Sequence, residues 1–198
     1  MTRFLMTVVA LVVGAAVCLG DAFIKVPLCR QEKSFTCGVA ATQSVLAFYG
    51  VVDGIRQDQL AKSLRTTRNG TRYQKIMDYA ESLGFAADAR SMTLEELKAL
   101  LDAGQPVILA IQAWADALPH DYTDDWKDGH YVVAIGYDAT RMFFMDPSTL
   151  GNYTYIPTEA FLARWHDIDG RKTKVVHWGI VLNRGRPIYD PEAILLLE

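Results

Sequence analysis

The sequence predicts an α+β fold with segregated parts, a helical N-terminal half and an antiparallel β-sheet C-terminal half. Before residue 104, apolar residues recur at helical spacing in four segments, most of them followed by glycine. After residue 105 the period changes, and five short runs rich in apolar, β-branched and aromatic residues follow, bounded by Gly, Pro, Asn and Asp. Helices first and strands second give two lobes, and a site commonly lies between such lobes.

The elements follow in order. Residues 23–28, FIKVPL, read as a short strand or extended lead-in that Pro27 limits. The polar loop CRQEKSFTCG comes next, and Thr36 is placed to cap the following helix. That helix, about 38–49, carries Val39, Ala40, Val45, Leu46, Phe48 and Tyr49 and stops at Gly50. A second helix covers about 56–64, and Asn69-Gly70 marks a turn in the loop 67–71. A third spans 73–83 and closes at Gly84, and 86–90 is a short strand. Thr93 starts a fourth helix with Glu95 and Glu96 in its first turn and Gly104 beyond its end. Strands are expected at 106–114, 130–137, 141–146, 153–156 and 175–182, ahead of a Pro-containing tail at 184–198.

The chain has 198 residues, 51% hydrophobic, with four Trp, nine Tyr and eight Phe, enough for one domain with a packed core. Net charge is -3 and no basic run stands out, which excludes the clustered Lys/Arg face of a nucleic-acid binder. Residues 4–17 form an apolar run behind Arg3, with Gly20 and Ala22 after it. This is the pattern of a secretory signal over residues 1–22, too short for an ordinary membrane span. It places the mature domain, 23–183, outside the cytoplasm, periplasmic or secreted. Cleavage after Cys18 or after Ala22 fits, and an uncleaved membrane anchor or a lipidated Cys18 is the alternative.

Removal of the signal leaves Cys29 and Cys37 of the three cysteines. They form either a disulfide or one reactive thiol and a bystander. Cys37 stands at the start of a helix, where unpaired N–H groups and the helix dipole favour a thiolate. His130 opens a strand after Gly129, and Asp146 ends the next one before Pro147. A hairpin centred on Asp138-Ala139 sets His130 and Asp146 opposite one another. An Asp so placed holds one imidazole nitrogen and leaves the other to take a thiol proton. Gln31, six residues before Cys37, carries a side-chain amide that can turn toward a carbonyl under attack. Read singly, each has an ordinary alternative: a buried structural Cys, a surface or core His, a turn Asp, a solvated Gln. His120, His166 and His177 read as bystanders. No His stands at metal-ligand spacing with Cys29 or Cys37, so neither metal nor cofactor is expected.

Taken together, Gln31, then Thr36-Cys37-Gly38-Val39-Ala40-Ala41, then Gly129-His130-Tyr131-Val132-Val133, then Met145-Asp146-Pro147-Ser148 resemble the bacteriocin-processing, double-glycine leader peptidases. These are papain-like cysteine peptidases. The resemblance covers about residues 25–168, including Gly70, the Ala80-Glu81 to Gly84 segment and Gly104-Gln105-Pro106-Val107-Ile108. It implies a papain-like two-lobed fold with the Cys helix in the N-terminal lobe, nucleophile Cys37, base His130, orienting Asp146 and oxyanion donor Gln31. It implies a peptide or protein substrate. An exported, stand-alone member differs from relatives that cut leaders on the cytoplasmic side, and an envelope or secreted protein is the alternative substrate.

The expected function is therefore that of a cysteine-type peptidase. Trp114, Tyr131 and the 118–127 loop are placed to border the substrate groove. The competing readings are a papain-like acyltransferase, a catalytically silent or redox-gated peptide-binding module with bridged sulfurs, and a wall hydrolase of another Cys/His type.

Overall fold

A computed structural model describes residues 21–51, 56–117, 119–169, 172–194 and 196. Most of the expected export signal, residues 1–20 with Cys18, lies outside the described residues, as does Leu118 of the expected groove loop. The first half runs β1 (Ala22–Phe23), α1 (Cys37–Phe48), α2 (Gln57–Ser63), α3 (Tyr73–Ser82), β2 (Ala86–Ser91) and α4 (Leu94–Asp102). The second runs β3 (Val107–Gln112), β4 (Gly129–Tyr137), β5 (Arg141–Met145), β6 (Thr154–Pro157), α5 (Thr158–Arg164), β7 (His166–Ile168), β8 (Lys174–Val176) and β9 (Trp178–Asn183).

Seven strands form one antiparallel sheet in the order β2-β9-β3-β4-β5-β6, with β1 added to β4. β3 is buried along its whole length, because the sheet is covered on both faces. On one face Val45, Leu46, Leu60 and Ile76 of α1–α3 pack against Ile108, Val133 and Ile180. On the other, Leu97 and Leu101 of α4 and Phe161 of α5 pack with Trp165 against Val107, Leu109, Val132 and Phe144. Odd and even strand residues thus serve different cores, as the pleat requires. α1 is buried almost all round, as a nearly uniformly apolar helix must be.

The segregation of helices and strands holds for α1–α3. It breaks at β2, which pairs with β9 at the sheet edge, and at α5, which the pattern after residue 150 concealed. α5 has only seven residues, and its burial rests on Phe161, so it carries little periodicity of its own. The single strand expected over 175–182 is two. His177 takes φ 52°, and the chain pivots there, so β8 pairs back onto β7 while β9 enters the main sheet.

Two further expectations need correction. Thr36 precedes α1 but does not cap it: its hydroxyl turns back to the Lys33 backbone and to Gln57. The β4–β5 hairpin is centred on Ala139-Thr140, one residue later than expected. The Asp138 carboxylate accepts the N–H groups of Thr140 and Arg141 and moves the turn. A bulge between Ala134 and Gly136 takes back one residue of that shift, and the ladder beyond it pairs Val133 with Met145. Continued, that register sets Asp146 across from Val132, and His130 pairs with Ile111 of β3 instead.

Candidate active site

Cys37 occupies the first position of α1 and is only 8% exposed. Burial alone raises a thiol's pKa, but here the His130 hydrogen bond and charge, with the backbone N–H groups of Tyr131 and Gly38, carry it below the ordinary cysteine value. Gly38 is needed for close approach. A Cβ there would lie 3.0 Å from both Thr71 Cβ and Tyr131 Cδ2. The loop that delivers Cys37 is held by Gln57. Its amide donates to the Arg30 carbonyl at 2.9 Å, and its oxygen accepts the Glu32 N–H at 2.7 Å.

His130 and Asp146 meet even though their register differs from the expected one. Asp146 stands across from Val132, and His130 is two residues along β4 on the same face, so the pair is a diagonal neighbour. A shift of two residues preserves the face, whereas a shift of one reverses it. His130 Nε2 lies 2.8 Å from Asp146 Oδ1, both side chains buried. The other ring nitrogen, Nδ1, is left for the Cys37 thiol. Desolvation alone lowers an imidazole's pKa, but Asp146 and Cys37 overcome it and hold His130 up at about 9. Burial pushes the Asp146 carboxyl up, and the His130 partner outweighs that and holds it low. Asp146 is itself fixed by the Ser148 N–H at 2.8 Å and the Thr149 hydroxyl at 3.3 Å.

Gln31 reaches the same corner. Its backbone N–H donates to the Pro147 carbonyl at 3.0 Å, and Ser148 Oγ donates to its side-chain oxygen at 3.2 Å. Its amide donates to the Lys33 carbonyl at 2.9 Å, which uses one of its two N–H groups. The loop before the Cys helix and the turn after β5 are thereby tied together.

Cys29 and Cys37 are both free thiols, and burial pushes the Cys29 thiol up to about 11. His166 Nε2 lies 2.6 Å from the Asp125 carbonyl, and His177 stacks on Trp165. His120, Asp125 and Asp128 bring ligand atoms within 4.8 Å of one another, the one such group among the described residues. Tyr131 lines a cavity with Cys37, whereas Trp114 and Tyr122 line another with Asp146. Sequence reasoning missed Gln57, Gln112 and Asp167, because a polar residue inside a run or loop gives no local sign that folding will bury it.

The model of the Peptidase_C39 like family matches residues 23–173. The chain belongs to that family. The family places the chain among C39-like peptidases, and its α+β fold is the papain-like one of solved C39 peptidase domains. A double glycine motif protease from an AMS/PCAT transporter, solved in complex with the leader peptide, is 20% identical with a TM-score of 0.59, over 82% of this chain and 93% of that one. The peptidase domain of Streptococcus ComA, a bi-functional ABC transporter involved in a quorum sensing pathway, is 21% identical with a TM-score of 0.57, over 81% and 96%. A C39-like peptidase from Bacillus anthracis is 18% identical with a TM-score of 0.62, over 84% and 99%. No curated protein matches the sequence.

Proposed function

We propose that this C39-like chain is a cysteine peptidase in which Cys37 is the nucleophile, His130 the acid and base, and Asp146 the residue that orients the imidazole. The observation that carries the reading is the buried line from Cys37 through His130 to Asp146 at the start of α1. The Cys37 thiolate attacks the peptide carbonyl, and the N–H groups at the start of α1, with Gln31, receive the charge that develops on oxygen. Nδ1 of the His130 imidazolium gives its proton to the departing amine, and the C–N bond breaks. Water, losing a proton to the now neutral imidazole, then releases the acyl group and restores the thiolate. Free thiols at Cys29 and Cys37 are the state this chemistry needs.

We also propose that the domain works outside the cytoplasm, on the strength of the apolar run at residues 4–17. β1 uses Ala22, which pairs with Tyr137, so cleavage after Cys18 retains this strand and cleavage after Ala22 divides it. N-terminal sequencing of the mature protein decides between them. Among the described residues no helix is long and apolar enough to cross a membrane.

The test of the catalytic reading is mass spectrometry after treatment with iodoacetamide at neutral pH, without reductant. Cys37 should be labelled well ahead of Cys29, and His130→Ala should remove that advantage. Equal labelling of the two cysteines in the wild type would sink the assignment.

A further inference from the structure

Beside Cys37 lies a cavity of about 330 Å³ between the 69–73 segment of the helical part and the β4, β7 and β8 strands. Its walls include Thr71, Tyr131, Val175 and Trp178, and the Asp167 carboxylate faces it. The proposed catalytic chemistry has no use for this acid. Asp167 is nonetheless held with care. Its Oδ1 accepts the Ile168 N–H at 2.7 Å and the Gln112 amide at 3.2 Å. Gln112 is completely buried, and its own oxygen accepts the Asp128 N–H at 2.9 Å, so the amide cannot turn away without losing a second bond. Gly129, next to His130, makes room for the carboxylate: a Cβ there would lie 2.4 Å from Asp167 Oδ1.

Both of these bonds fall on Oδ1, and among the described residues Oδ2 accepts none, which leaves it for a ligand. Among the described residues no lysine or arginine forms an ion pair with Asp167, although Arg72 and Lys172 also line the cavity, as does Asp169. Burial pushes the carboxyl up to about 6 against the weaker pull of the nearby His166 and His130, so at neutral pH the group is mostly ionised. An oriented, largely desolvated carboxylate that no described side chain meets in an ion pair, at the wall of a cavity, is complementary to a cation. The walls ahead of it, Tyr131, Val175 and Trp178, suit the alkyl stem of a lysine or arginine.

The cavity also has a side. Gly129 and Tyr131 line it, but His130 and Asp146 do not, and Asp146 faces the separate cavity with Trp114. The leaving amine must meet the imidazole, so the Asp167 cavity lies toward the acyl part of the substrate. We propose that Asp167 is a specificity-determining residue that accepts a lysine or arginine side chain from one of the first three residues on the acyl side of the cleaved bond. The inference rests on Cys37 being the nucleophile.

The experiment uses short peptidyl electrophiles that alkylate the nucleophilic thiol, in sets carrying lysine, norleucine or glutamate at the first, second or third acyl-side residue. Rates of Cys37 labelling are read by mass spectrometry on the full mature chain. At one position lysine should react about tenfold or more faster than norleucine, and glutamate slowest of the three. In Asp167→Asn the lysine-to-norleucine ratio should fall to near one, and in Asp167→Glu part of it should remain. Equal lysine and norleucine rates at all three positions in the wild type overturn the proposal, even where the variants do not fold. So does a preference that survives in Asp167→Asn, or reaction with iodoacetamide but with none of the peptides. Failure of iodoacetamide to favour Cys37 over Cys29 is a different result and strikes the catalytic reading instead.

Discussion

At the scale of single residues, the site is governed by how three buried groups share charge. Cys37 alone in its burial would be a protonated, inert thiol, and His130 alone would be neutral. Each shifts the other toward the ionised form, and Asp146 adds a fixed negative charge. Cys37→Ala should abolish peptide cleavage, a loss of about 10⁴-fold or more, with an unchanged circular dichroism spectrum. Cys29→Ala should leave cleavage intact. The pH dependence separates the two partners. In the proposed mechanism the imidazolium is the acid, so cleavage should fall as pH rises through about 9, whereas alkylation of the thiolate should persist there. Because the folded His130 value lies above its ordinary value of about 6.5, the protonation of His130 contributes stability that is fully present below that pH. The contribution is lost as pH rises toward about 9, which thermal melting across this range measures. Asp146→Asn removes the charge, so the upper limb of the cleavage profile should move to lower pH, and kcat/KM should fall by about 10²-fold or more.

At the scale of elements, the helices differ in how much of their definition is local. α4 is specified by its own sequence. Thr93 accepts the Glu96 N–H at 3.1 Å, and the Glu96 carboxylate accepts the Thr93 N–H at 2.7 Å, so both orphan donors are satisfied. Thr93→Ala should cost about 1 kcal/mol in urea denaturation and leave Cys37 labelling unaffected. α1 is the opposite case. It has no side-chain cap and is set in place by burial and by the Gln57 clamp on the loop before it. Four of the sheet strands could be read from their apolar runs. The break at His177 could not, because a histidine in the left-handed region is decided by what surrounds it, here a bond to the Trp165 carbonyl at 2.8 Å and stacking on its ring.

At the scale of the whole molecule, one sheet carries two cores, and the site forms where the helical part meets the end of β4. Trp165 joins the back of that sheet to the β7–β8 arm. It is fully buried, stacks on Phe161 and His177, and donates to the Trp178 carbonyl at 2.9 Å. Trp165→Ala should therefore destabilise the domain by about 4 kcal/mol, read from the midpoint of denaturant unfolding. The contacts of Gln31 with Pro147 and Ser148 hold the Cys37 loop against the Asp146 turn, so the two halves of the site are positioned by one corner of the molecule.

The amino-acid sequence by itself determined the α1–α4 helices, the central strands, and the pairing of a helix-start cysteine with a strand-start histidine and a strand-end aspartate. These are legible because period, turn residues and charge act over a few neighbours. The meeting of His130 and Asp146 was anticipated from a register that proved two residues out, and it survived because an even shift keeps both side chains on one face. The covering of both sheet faces, the pivot at His177, the clamp of Gln57 and the placing of Asp167 beside Cys37 were decided only in the tertiary structure. Gln112 and Asp167 stand 55 residues apart, and nothing local indicates that folding will bury one amide to aim one carboxylate. Such groups acquire their chemistry from desolvation and from partners that chain distance conceals.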